Sequence, residues 1–221
     1  MLVEVFTIIL LLVIYFFFYV EIKINKNNDV NMLDEELTKK SLANEVMFKL
    51  PFYFDASHLN PKFKKDKLVL IEKDKINKNK KMKSDREPPQ LFKPILRHTT
   101  KSDLFLLKKN GQIPLYKNNG SVNHIFVRNG RAKIALIHPK YKDNFDENNS
   151  STSKEYLWNN SSFKYLECNE GTVVCVPNYW FTAICNDSDN ETIIEVFSFT
   201  TIVRSVLLFV NKQFNYSKTL Y

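Results

Sequence analysis

Histidines, cysteines and carboxylates are the side chains with which this chain could hold a metal or attack a substrate. It has 4 histidines in 221 residues. A non-haem iron site needs two histidines and one carboxylate on one face, with positions left open for cosubstrate and oxygen. On a strand the first two ligands must stand two residues apart, because side chains alternate between faces. The residues two beyond His58, His98, His124 and His138 are Asn60, Thr100, Phe126 and Lys140. No H-x-D or H-x-E occurs, and no histidine follows His138. The 3 cysteines have no C-x-x-C spacing. They fit reduced thiols in a cytosolic compartment, with Cys175 and Cys185 as small core residues. A Cys175 or Cys185 nucleophile served by His124 or His138 has no supporting local motif. There is also no phosphate-binding loop, no G-x-S-x-G and no H-E-x-x-H. The sequence therefore assigns no catalytic residue, no cofactor and no metal ligand.

The elements that would position such residues are short and β-rich. Gly171 opens a turn, and the β-branched run 173–176 follows it as a strand. Pro177 and Asn178 end that strand, since proline has no amide proton to donate. A second strand is expected at 181–185, then turn chemistry at 186–190, then a third strand at 192–199. Earlier, residues 48–54 read as an edge strand and 67–72 as a buried one. Residues 92–98 and 104–108 are two further strands, with a turn at Asn110-Gly111. Residues 141–162 form a polar loop. Helices are expected at 33–46, capped by Asp34, and at 202–214. In the latter, Val203, Val206, Leu207 and Val210 share one face while Arg204 and Lys212 point elsewhere.

Two stretches resemble the Jumonji-C or cupin-like dioxygenases near the asparaginyl-hydroxylase branch. Their last ligand strand reads roughly G-D-V-L-x-I-P-x-Y-W-W-H, and this chain reads G-T-V-V-C-V-P-N-Y-W-F-T from Gly171. Gly171, Val173, Pro177, Tyr179 and Trp180 match. Their first ligand strand and hairpin read T-P-x-H-x-D, then an Asn, then G-x-K and x-L-x-P. Pro114, Asn123, Gly130, Leu136 and Pro139 match that frame. The resemblance runs over roughly residues 91–200 and implies a double-stranded β-helix. Aligned on Asn123 and Gly130, the ligand pair falls on Lys117 and Asn119. Aligned on Pro114 and Leu115, it falls on Tyr116 and Asn118. The last histidine falls on Thr182, and the lysine that grips 2-oxoglutarate falls on Ala132. The resemblance thus implies a vestigial pocket lined by Lys117, Asn119 and Thr182, with neither iron nor cosubstrate.

Residues 2–20 are almost unbroken apolar sequence. A helix of that length, rising ~1.5 Å per residue, can cross a hydrocarbon layer of about 30 Å. Glu4 reaches the headgroups at one end, and Tyr15 and Tyr19 suit the other interface. A signal peptide would need a basic start and a small-residue cleavage site, and neither is present. Lys23 and Lys26 follow the segment and place the C-terminal body on the cytoplasmic side. Sequons at Asn149, Asn160, Asn186 and Asn190 point the other way, but arise easily in so Asn-rich a chain. The net charge of +8 and pI near 9.2 favour an anionic surface. Within the lysine-rich run 73–86, Lys78, Lys80, Lys81 and Lys83 would contact anionic lipid, at about 1 kcal/mol per residue. The run lacks the interleaved aromatics of a nucleic-acid surface. Its competing reading is a solvated loop.

The expected architecture is mainly β: a cupin-like, jelly-roll double-stranded β-helix behind an N-terminal transmembrane helix. Residues 1–22 are the anchor, 23–45 a polar linker, 46–214 the β-domain and 215–221 a tail. The expected function is a non-catalytic binding or structural module, a pseudo-dioxygenase at a membrane surface, contacting lipid and a protein partner. By analogy alone, the membrane of a large DNA virus is one setting. The alternative is an iron and 2-oxoglutarate dioxygenase with atypical ligands. A basic tether, whose binding collapses with salt, is compatible with the first reading.

Overall fold

In the computed structural model, residues 2–33, 38–56, 80–83, 89–94, 96–144, 158 and 160–218 are described. The strand expected at 67–72 and most of the runs 73–86 and 145–159 lie outside them. The chain begins with helix α1 (Leu2–Ile22), strand β1 (Asn31–Met32), helix α2 (Lys39–Phe48), β2 (Phe52–Asp55) and β3 (Lys80–Lys83). Eight strands follow: β4 (Arg97–Leu107), β5 (Gln112–Lys117), β6 (Val122–Asn129), β7 (Arg131–Ile137), β8 (Lys164–Asn169), β9 (Thr172–Pro177), β10 (Phe181–Asn186) and β11 (Thr192–Thr201). Helix α3 (Ile202–Lys218) ends the described chain.

A larger sheet has the order β1-β2-β9-β6-β11-β4-β3, and a smaller one has β5-β10-β7-β8. The pairings are nested. β4 pairs with β11, β5 with β10, β6 with β9 and β7 with β8, all antiparallel. A long hairpin folded over itself in this way is a jelly roll, the double-stranded β-helix. The strands expected at 173–176, 181–185 and 192–199 are β9, β10 and β11. Of the two strands expected at 92–98 and 104–108, the second falls in β4, which reaches back only to Arg97; Phe92 instead ends a 3-10 turn, Gln90–Phe92. The polar middle of β4 hides the strand, while ten cross-strand partners on β11 define it.

Ile125, Val127, Val174, Val176, Ile194 and Val196 fill the interior from the larger sheet. Ala132, Ile134, Leu136, Trp180 and Ile184 meet them from the smaller one. The opposite face of β6, β9 and β11 is also buried. There Val122, Phe126, Val173, Phe197 and Phe199 pack with Phe52, Phe54, Phe92 and Leu42. These strands are therefore continuous apolar runs rather than alternating ones, as two-sided burial requires. Residues 23–45 contribute to this cover. β1 pairs in parallel with β2, and α2 lies over the outer face. Thr38, not Asp34, caps α2. Its side chain accepts from the Ser41 amide at 3.1 Å, and the Thr38 amide donates back to Ser41 Oγ at 3.0 Å.

One charged pair lies on that outer face. Glu195 is fully buried, and Arg128 Nε donates to its Oε2 at 2.8 Å. Ser102 Oγ donates to Oε1 at 3.3 Å, and the Arg128 guanidinium lies 4.9 Å from the Phe126 ring centroid. Breaking a buried pair by removing one partner strands the other charge. Glu195→Ala is expected to lower unfolding free energy by about 3–5 kcal/mol. Replacing both partners with Leu and Met should restore most of that. Urea unfolding of the detergent-solubilised chain, followed by near-UV circular dichroism, measures both.

Candidate functional site

Thr182 stands on β10 between Trp180 and Ile184, two interior residues, so alternation turns it inward as well. It is fully buried, and its Oγ1 has no hydrogen-bond partner among the described residues. Its Cα partner on β5 is Tyr116, which packs against the interior cluster. The Tyr116 hydroxyl and Asn123 Oδ1 make no hydrogen bond of good geometry among the described residues, although the Asn123 side chain lies close enough to the phenol to interact with it. Burial, and then the Asp103 carboxylate, push the Tyr116 phenol well above its ordinary range, while the Asn123 side chain pulls it back. A phenol, a hydroxyl and a carboxamide thus share the interior, from β5, β10 and β6. All three are neutral oxygens, and none is an imidazole or carboxylate. This donor set does not fit Fe(II), which needs two histidines and a carboxylate. Among the described residues, no group of three or more His, Cys, Asp or Glu could hold a metal.

The pocket expected from Lys117, Asn119 and Thr182 does not form. Thr182 alone faces the interior. Lys117 is paired with Phe181, and its Nζ lies 5.7 Å from that ring's centroid on the outer face of the smaller sheet. Asn119 is exposed, and its carbonyl accepts from Arg204 Nε at 2.9 Å. For Lys117 the cause is strand parity, since a shift of one residue exchanges the two faces; Asn119 lies beyond the end of β5. The frame set by Pro114 and Leu115 is the one that places an inward residue, Tyr116, opposite Thr182. Asn118, the other residue of that frame, is committed to the backbone. It donates to the Val176 and Pro177 carbonyls at 2.9 and 3.0 Å and accepts from the Gly120 amide. Of the four lysines assigned to anionic lipid, Lys80, Lys81 and Lys83 lie on β3, an edge of the larger sheet. Lys78 lies outside the described residues.

The cysteine–histidine idea meets a different obstacle. His124 and Cys175 are Cα partners on β6 and β9, on the outer face of the larger sheet. Burial holds the Cys175 thiol well above its ordinary range and lowers His124 to about 3. A thiol that resists ionisation beside an imidazole that resists protonation is no nucleophile pair. His138 is structural. Its Nε2 contacts the Asn25 carbonyl at 2.6 Å and its Nδ1 accepts from the Lys140 amide at 3.0 Å, which fixes the proton on Nε2.

A second group of polar residues joins α1 to the β-domain, and the sequence did not single it out. Glu21 is 7% exposed. Its Oε1 accepts from Ser121 Oγ at 3.1 Å and from Thr201 Oγ1 at 2.7 Å. Its carbonyl accepts from Asn178 Nδ2 at 2.7 Å. Buried Lys49 lies nearby; burial lowers its pKa, Glu21 opposes that and Arg204 reinforces it. Arg204, expected off the apolar face of α3, is 2% exposed. Its Nη1 donates to the Tyr179 hydroxyl at 2.7 Å, and the guanidinium lies 4.5 Å from the Tyr179 ring centroid. Drawing Arg204 inward rotates α3, leaving Val206 44% and Val210 39% exposed. A glutamate at the end of an apolar helix was the available signal.

No protein-family profile matches the chain, and no curated protein does. Among solved structures, the oxalate decarboxylase of Lactobacillus farciminis in its formate complex aligns with TM-score 0.35 and 15% identity, over 47% of this chain and 25% of that one. The cupin domain of Schizosaccharomyces pombe Cnp3 gives 0.37 and 9%, over 57% and 65%. A cupin superfamily protein from Desulfitobacterium hafniense DCB-2 gives 0.34 and 12%, over 57% and 82%. The chain spans about a quarter of the length of that decarboxylase. The jelly-roll assignment rests on the nested strand order, not on these alignments.

Removing the Glu21 carboxylate deprives the Ser121 and Thr201 hydroxyls of their acceptor. Glu21→Ala should loosen the joint by about 1.5–3 kcal/mol per charge-assisted bond lost. Limited proteolysis in detergent is expected to cut residues 23–33 faster in this variant. The thermal unfolding of the sandwich should fall far less than with Glu195→Ala.

Proposed function

We propose that this protein is a membrane-anchored, non-catalytic jelly-roll module that binds a partner rather than oxidising a substrate. One observation carries the reading: where the resemblance expects metal ligands, the inward side chains on β5 and β10 are Tyr116 and Thr182, both neutral. The anchor is α1. Its apolar stretch Val3–Ile22 has a mean hydropathy of 2.6, and 6% of it is buried against the rest of the chain. Lys23 and Lys26 favour a cytoplasmic body. The sequon at Asn186 is closed to glycosylation in the folded domain, because its Nδ2 donates to the Leu107, Lys108 and Asn190 carbonyls. The Asn- and Lys-rich composition fits an AT-rich genome, and the membrane of a large DNA virus is the setting we favour by analogy.

Metal and cosubstrate titration decides the chemistry. The full chain must be used, because residues 21–33 pack into the domain. Purified in detergent without a chelating tag, it is expected to take up no stoichiometric Fe(II) and to show no 2-oxoglutarate-dependent absorbance band. One iron per chain with such a band would establish the dioxygenase alternative. Alkaline carbonate extraction should leave the chain in the membrane pellet, and release into the supernatant would remove the anchor.

A further inference from the structure

We infer that the cavity between α1 and the outer face of the larger sheet binds one acyl chain of an anionic membrane phospholipid. The inference rests on α1 being a membrane anchor. The cavity is about 580 Å³ and almost wholly apolar. That lies in the ordinary range for small-molecule sites, about 300–1,000 Å³. Phe16, Phe17 and Val20 of α1 form one wall, Met47 of α2 another, and Val122 and His124 of β6 the floor. One wall is thus the membrane helix itself, so the cavity adjoins the place where lipid chains lie.

The polar groups of the cavity narrow the ligand. His124 is 2% exposed, wedged between the Phe92 and Phe199 rings at 5.1 and 5.2 Å. Neither of its ring nitrogens has a hydrogen-bond partner among the described residues. An unpaired buried polar group is costly, so a cavity ligand that supplies a partner is favoured. Lys40 and Lys49 also line the cavity, together with the carboxylate of Glu21. Glu21 Oε1 accepts from Ser121 and Thr201, its Oε2 has no hydrogen-bond partner among the described residues, and its charge acts on the neighbouring Lys49. An ester-linked chain answers both features. Its carbonyl can accept from the imidazole N–H, its phosphate complements the lysines and its methylenes fill the apolar volume.

Photo-crosslinking tests this directly. The full chain is reconstituted into phosphatidylcholine vesicles with or without phosphatidylglycerol, with a trace phosphatidylglycerol carrying a diazirine on its acyl chain. After photolysis, adducts are mapped by mass spectrometry. Adducts on α2 and β6 near Met47 and Val122 are expected, at one lipid per chain. Ala43→Trp, which fills the cavity, should abolish them. His124→Phe keeps the ring packing and removes both nitrogens, and should lower them about fivefold, the worth of one neutral hydrogen bond. Unlabelled phosphatidylglycerol should compete better than unlabelled phosphatidylcholine. Adducts confined to the outward side of α1, unchanged by Ala43→Trp, would mean annular lipid only and overturn the site. Equal competition by the two lipids would overturn its anionic preference. Failure of the chain to float with vesicles would overturn the anchor instead, which separates the two claims.

Discussion

Strands β6, β9 and β11 are apolar on both faces, and such a sheet must be covered twice before it is stable in water. The smaller sheet covers the inner face, and the nested pairing of the jelly roll achieves this within one chain. Nothing in those eight strands can cover the outer face. The segments before them do it instead: β2 extends the sheet, α2 and Phe92 lie across it, and the end of α1 closes one side. The residues between the apolar segment and the β-domain are therefore part of the fold. The cavity beside His124 is where this second cover is incomplete.

The same cover couples the domain to α1, the helix apolar enough to cross a membrane. A helix that leaves a membrane into a flexible tether needs no specific contacts with the body it carries. Here Glu21 receives two hydroxyls, its carbonyl receives Asn178, and Arg204 closes the joint from the far end of the β-domain. Buried charges persist only when paired and hydrogen-bonded. The joint therefore fixes the orientation of the domain relative to α1.

Within the sandwich, the chemistry follows from which residues strand parity turns inward. Oxygen activation needs charged or imidazole ligands arranged around open positions. A phenol held protonated, a threonine and an asparagine offer hydrogen bonds to a neutral guest but no charge to compensate a metal cation. The outer-face pair of His124 and Cys175 shows the same principle reversed. The register brings the two types together, and burial then removes the ionisation that would make them reactive.

The apolar run of α1, and the β-branched runs closed by Gly171, Pro177 and the 186–190 turn, were determined by the sequence itself. Those signals are local: hydropathy, side-chain branching and the backbone limits of proline and glycine. The absence of an H-x-D pair was equally legible, since it needs only spacing. The face each residue takes was decided by tertiary structure. Lys117 was placed in the interior by an alignment frame one residue off, and one residue is the whole difference between inside and outside on a strand; Asn119 falls beyond the end of that strand. β4 runs unbroken through polar residues because β11 pairs with it along its length. Arg204 turns inward because Tyr179 and Asn119, distant in sequence, offer it partners. Glu21 reads as a flanking charge until Ser121, Thr201 and Asn178 converge on it. Each of these depends on contacts between residues far apart in the chain, and local propensity carries no information about them.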